Sequence, residues 1–161
     1  MSKVLAFLLL VIALSSCESN VVFSETKAMD GFWGEKEAVE FNLPEMDSLK
    51  HYNLFLNIRN NNDYKFNNIF LIVSINFPYG KVVTDTLEYR MANPDGSWMG
   101  QGIGNVKENK LWYKEGVRFF EDGNYSVTLE QAMRNNGSVD GVKKLEGITD
   151  VGLSIEEATN K

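Results

Sequence analysis

Asn68-Ile69-Phe70-Leu71-Ile72-Val73-Ser74-Ile75-Asn76-Phe77 is the stretch that decides the fold. Its apolar run, Ile69 to Val73, has the length of a strand buried on both faces and falls far short of the roughly 20 residues a membrane-spanning helix needs. Phe77-Pro78-Tyr79-Gly80 closes it with turn residues, and Val82 to Tyr89, rich in Val and Thr, follows as its hairpin partner.

The same grammar extends on both sides. Val39, Phe41 and Leu43 alternate with Glu40 and Asn42, the period-2 mark of a half-buried strand. Leu54, Leu56 and Ile58 do the same, with Phe55, Asn57 and Arg59 on the other face, until Asn60-Asn61-Asn62-Asp63 breaks the pattern with residues that cap their own backbone. Asn93-Pro94-Asp95-Gly96 is a turn, and Gly96 to Gly104 places four glycines around Trp98 and Met99, which predicts an irregular loop. Leu111–Phe120 and Tyr125–Gln131 read as a second hairpin around Glu121-Asp122-Gly123-Asn124. Val151, Leu153 and Ile155 form a last alternating strand. Helical periodicity is confined to single turns at Ser48–Tyr52 and Glu130–Arg134. Seven or eight strands at this spacing predict an all-β, antiparallel β-sandwich, jelly-roll or Ig-like, in one domain.

The N-terminus obeys different rules. Met1-Ser2-Lys3 carries one positive side chain, and Val4 to Leu14 is unbroken apolar sequence. Eleven residues fit the hydrophobic region of a secretory signal peptide and are too few to span a bilayer. Leu14-Ser15-Ser16-Cys17 follows and resembles the lipobox of bacterial lipoproteins, in which the signal is cut before the cysteine and its thiol takes a diacylglyceryl group. The alternative is an ordinary signal peptide cut near a cysteine, but that leaves an exported chain with one unpaired thiol. Cys17 is the only cysteine, and thioether formation removes the liability. Two or three acyl chains anchor stably where one does not, so the membrane contact is a lipid on Cys17. The expected organisation is a cleaved signal peptide over 1–16, a lipidated N-terminus and tether over 17–35 with Val21-Val22-Phe23 as a hydrophobic hook, and a β-sandwich domain over 36–161.

The chain's 161 residues less the first 16 leave 145, enough to bury a core without disulfides. Loss of Lys3 leaves 15 basic against 22 acidic side chains, a formal charge of −7. No dense basic run exists to neutralise phosphates, which argues against nucleic acid and against polybasic docking on anionic lipid.

Catalytic chemistry finds little footing. His51 is the sole histidine, so a multi-histidine zinc site and any His-Glu-x-x-His arrangement are excluded, and no Gly-x-Ser-x-Gly elbow exists for a serine nucleophile. The acidic turns at 60–63 and 93–95 lack the spacing of a calcium-binding EF-hand loop. No cofactor, metal or catalytic residue is assigned. Trp33, Trp98 and Trp112, with Tyr79, Tyr89 and Tyr113, either fill the core and its edges or build a platform for sugars. That second possibility makes a glycan-binding lipoprotein the alternative function. Trp98, a tryptophan among glycines, is either a plug folded onto the core or an exposed anchor for a partner.

Taken in order, Asn57-Ile58-Arg59-Asn60-Asn61-Asn62-Asp63-Tyr64, Phe77-Pro78-Tyr79-Gly80-Lys81, Asp85-Thr86-Leu87 and Pro94-Asp95-Gly96-Ser97-Trp98-Met99-Gly100-Gln101-Gly102 resemble the gliding-motility lipoprotein family GldH of the Bacteroidetes. Glu130-Gln131-Ala132-Met133-Arg134 and Gly147-Ile148-Thr149-Asp150-Val151-Gly152 are the most distinctive pieces, and with the lipobox the similarity spans nearly the whole chain. The resemblance implies a non-catalytic lipoprotein of the cell envelope, at the outer membrane and facing the periplasm, that supports gliding and the associated type IX secretion machinery. Other envelope lipoproteins or secretion proteins are then the expected partners, met through Trp98 and the segment holding Gln131, Met133 and Arg134.

Overall fold

Asn68–Asn76 is an inner strand of a four-stranded sheet, with alternate side chains buried from Ile69 to Ile75. The computed structural model describes residues 20–159. Its ten strands are β1 (Val21–Ala28), β2 (Phe32–Gly34), β3 (Val39–Asn42), β4 (Tyr52–Asn60), β5 (Asn68–Asn76), β6 (Val82–Arg90), β7 (Lys107–Val117), β8 (Ser126–Gln131), β9 (Lys144–Glu146) and β10 (Ile148–Glu157). There is no helix among the described residues; of the two single turns expected, 48–52 holds one hydrogen-bonded turn, Lys50 donating to the Asp47 carbonyl at 3.2 Å, and 130–134 holds none.

Pairing follows a nested rule. β1 pairs with β10, β2 with β9, β3 with β8, β4 with β7 and β5 with β6, all antiparallel. First meets last and each successive strand meets the next one in. Two further pairings, β10 with β4 and β5 with β8, join the nested pairs into the sheets β1-β10-β4-β7 and β3-β8-β5-β6. This is the order of a folded-over antiparallel ribbon, a jelly roll, and it decides between the two sandwich topologies in favour of that one. The small β2-β9 sheet sits between the outermost and next pairs of the ribbon.

The core lies between the two four-stranded sheets. Leu54, Leu56 and Ile58 of β4 and Val151, Leu153 and Ile155 of β10 form one cluster with Val39 and Phe41 of β3, Leu71 and Val73 of β5, and Val127 and Leu129 of β8. Each such side chain withdrawn from water contributes about 1.5–3 kcal/mol, which is why alternation fixes both register and facing.

Two expectations need correction. Residues 21–28 are not a tether but the edge strand β1, paired with β10 from Val21 to Ala28. Ser24-Glu25-Thr26-Lys27 hides the strand because an edge needs few apolar side chains and is guarded by charge. Phe23 packs on the core, and the Lys27 ammonium lies 5.3 Å from the Phe41 ring centre and donates to the Glu40 carbonyl on the other sheet's edge. Nor do β7 and β8 make a hairpin: β7 pairs with β4 and β8 with β3 and β5, so residues 118–125 carry the chain from one sheet to the other.

The opposite edge is stitched by side chains. The Tyr89 hydroxyl donates to the Trp112 carbonyl at 2.6 Å, the Tyr113 hydroxyl donates to Asp85 at 2.9 Å, and Lys114 pairs with Asp85 at 2.8 Å. Burial pushes the Tyr89 hydroxyl up to about 12, with the Asp85 charge adding to the shift. The Lys114 ammonium bonded to Asp85 holds that carboxyl below its ordinary value, Tyr113 acting with it and partial burial against. Both open edges of the sandwich are thereby bridged to the facing sheet.

Candidate functional site

The jelly roll has two ends with different chemistry. At the first end β1 and β4 begin and β7 and β10 finish, since Tyr52 pairs with both Glu157 and Val117 and Val21 with Glu156. The loops 43–51 and 118–125 and the turn 77–81 complete it. Four rings seal the core here: Phe119 lies 5.8 Å from Tyr52 and 4.9 Å from Tyr125, and Phe77 lies 5.2 Å from Tyr125. Arg118 donates to the Ser48 carbonyl at 2.8 Å and ties two of the loops together. Asn20 accepts a backbone hydrogen bond from Glu157 at 2.8 Å, so the chain enters the domain at this end.

The first end is apolar at its tips and acidic at its rim. Leu49, Tyr79 and Phe120 are 80%, 77% and 60% exposed. A hollow of about 550 Å³ beside them is lined by Glu45, Asp47, Glu121 and Asp122 together with Phe119 and Tyr125. Among the described residues no group of three or more His, Cys, Asp or Glu is placed to hold a metal ion.

At the far end lie the loops 61–67, 91–106 and 132–143 and the β2-β9 sheet. Trp98 is there, and it is a plug more than an anchor. Its ring is half-buried against the core, 6.0 Å from Tyr64, its indole N–H donates to the Asn62 side chain at 3.2 Å, and its backbone bridges to Ala92. The glycine-rich segment around it is better ordered than its composition predicts. Met99 donates to Met91 at 2.9 Å, and Gln101 and Glu108 exchange hydrogen bonds of 2.8 Å. A Cβ at Gly100 would lie 2.8 Å from the buried Asn109 side chain, whose amide is held by the Ile58 carbonyl and Asn60.

Gln131 and Met133 do not reach the surface: they are 3% and 2% exposed. The strand period explains this, since both are in phase with the buried Val127 and Leu129. Gln131 donates to the Val142 carbonyl at 2.7 Å and accepts from the Met133 amide at 2.9 Å, while the Met133 sulfur accepts from the Phe70 amide. Both therefore support the 132–143 loop from beneath. Arg134 alone of that segment is exposed, at the base of a protruding turn where it bridges to Gly141. Trp98 and Arg134 stand on separate loops. The alternation Tyr125, Val127, Leu129, Gln131, Met133 carried this signal in the sequence.

What sequence reasoning passed over at this end are the exposed apolar tips, Met99, Ile103 and Val139, of which Ile103 is fully exposed. The three tryptophans do not share a face. Trp33 is completely buried and donates to the Glu37 carbonyl at 2.7 Å, Trp98 is a plug, and Trp112 lies on the outer face of β7 at right angles to Phe55. His51 is exposed on the 43–51 loop at the first end.

Similarity to known proteins fixes the family. A family model described as the GldH lipoprotein matches residues 21–155, the whole sandwich from the start of β1 into β10. The chain belongs to the GldH lipoprotein family. It is 53% identical over 158 residues to a protein of Christiangramia forsetii named gliding motility lipoprotein GldH homolog, covering 98% of this chain and 97% of that one. It is also 53% identical over 150 residues to the gliding motility lipoprotein GldH of Flavobacterium johnsoniae, covering 93% of each. No solved structure matches this chain. Membership of a GldH lipoprotein family implies a membrane-anchored protein of the cell envelope. Cys17 and the segment 1–16 lie outside the described residues. No helix among those that are described is long and apolar enough to cross a membrane.

Proposed function

We propose that this GldH-family chain is a non-catalytic part of the envelope machinery for gliding motility and the associated type IX secretion, held to the outer membrane on its periplasmic side by lipid on Cys17. In this reading the jelly roll is a spacer with a docking face. The observation that carries it is the separation of the two ends: the chain enters at the end holding Asn20 and Glu157, while Met99, Ile103, Val139 and Arg134 stand exposed at the other. A strand of nine residues, such as β4, sets those ends about 30 Å apart. Loops that expose apolar tips beside the exposed cations Arg90 and Arg134 suit other envelope lipoproteins or secretion proteins as partners.

Two experiments test this. Cys17→Ser leaves the fold intact and moves the protein out of the detergent phase; a variant that still partitions with detergent contradicts the lipid anchor. Chemical crosslinking of intact envelopes recovers partner proteins from the native chain and several-fold less from Ile103→Asp/Val139→Asp, both changes falling on side chains with no packing to lose. Recovery of monomer alone under every condition removes the basis for docking.

A further inference from the structure

The end of the jelly roll at which the chain enters has three apolar tips from three different loops, each left mostly exposed by the fold. Leu49 comes from the β3–β4 loop, Tyr79 from the β5–β6 turn and Phe120 from the β7–β8 loop. They belong to one surface: Phe120 packs 6.3 Å from Phe77, Gly123 rests against Pro78, and Arg118 holds the backbone beside Leu49. Val82, at the start of β6, is 54% exposed next to the turn. Loop tips of this kind normally carry polar side chains, and a cluster of large apolar ones marks a contact surface.

The position of Cys17 names the occupant. Asn20 is pinned to Glu157, and from Cys17 to Asn20 a fully extended chain reaches at most about 11 Å. The domain is about 30 Å long from end to end. An acyl group on Cys17 therefore holds this end, and not the far one, against the bilayer. We propose that Leu49, Tyr79 and Phe120 seat in the lipid interface and fix the domain upright on the membrane. The inference rests on the lipid-anchor reading and adds to it a second, protein-borne contact that sets orientation.

Charge defines the kind of lipid surface. Glu45, Asp47 and Asp122 stand exposed around the tips. Of the nearby cations Lys50 pairs with Glu157 at 2.7 Å, while Lys81 over the Phe77 ring at 4.8 Å and Arg118 at the Ser48 carbonyl keep their charge against four carboxylates, Glu45, Asp47, Glu121 and Asp122. A rim on which acids outnumber cations suits a zwitterionic surface and is repelled by an anionic one.

Hydrogen exchange on the full lipidated chain tests the seating, comparing detergent micelles with phosphatidylcholine vesicles. Burial of the tips slows amide exchange in 47–50, 78–82 and 119–122 about tenfold or more on vesicles, and leaves 99–106 and 135–140 unchanged. Leu49→Asp/Phe120→Asp abolishes that protection while the protein still floats with the vesicles through its acyl chains. Added phosphatidylglycerol reduces the protection. Equal exchange with and without vesicles, or protection at the far loops, overturns the proposal. So does protection that appears without vesicles and grows with protein concentration, which assigns the tips to a second copy. The mass of the N-terminal peptide reports acylation separately, so a failed anchor and a failed seating are told apart.

Discussion

Individual side chains decide whether this fold closes. Trp98 was open to two readings in the sequence because a tryptophan among glycines fits either a plug or an anchor. The Tyr64 contact and the Asn62 hydrogen bond make it a plug. Trp98→Ala accordingly lowers unfolding stability by about 3 kcal/mol in urea titration, whereas an exposed anchor would leave the midpoint unmoved. Gly147 is stricter still. Its φ is +82°, and a Cβ there would lie 2.1 Å from the Tyr64 amide nitrogen, so backbone meets backbone. Gly147→Ala costs at least about 3 kcal/mol, read as a loss of midpoint or of soluble folded protein. The sequence marks Gly147 only as part of a stretch distinctive of the family and gives no physical reason for it, because the partner that forbids a side chain is more than eighty positions away. Gln131 and Met133 teach the converse lesson. Their phase is legible in the alternation from Tyr125 to Met133, and a segment distinctive of the family need not be an exposed one.

At the scale of elements, strands with a buried apolar face were legible, the edge strand β3 among them, and the edge strand β1 was not. β3, β4, β5 and β10 announce themselves by apolar alternation because each has a buried face. β1 does not, since an edge strand over the rim of the core needs only Phe23 and the stem of Lys27. The two readings of that segment differ in a measurable way: deleting residues 18–28 from the chain leaves a tethered domain untouched but unpairs β10 from its outer neighbour. Loss of the cooperative unfolding transition is the outcome expected here. The β6–β7 edge makes a prediction in pH. Asp85 titrates below its unfolded value of about 3.9, so its stabilisation is complete above that value and disappears as pH falls through the lowered native one. The stability gap between the native chain and Asp85→Asn thus stays constant from pH 7 to about pH 5 and closes below about pH 4. A gap that widens in acid contradicts the pairing with Lys114.

For the whole molecule, nested pairing brings the chain's entry point, two loops that cross between the sheets, one hairpin turn and their apolar tips to one end and sends the remaining loops to the other. No local pattern in the sequence could show this, because it depends on which strands pair across the full length of the chain. The resulting account has one end on lipid and the other on protein. Photocrosslinking in intact envelopes, from a diazirine amino acid placed at Phe120 or at Ile103, tests it most directly. The account predicts lipid adducts from position 120 and a discrete protein adduct from position 103. Protein adducts from 120 with none from 103 would contradict it.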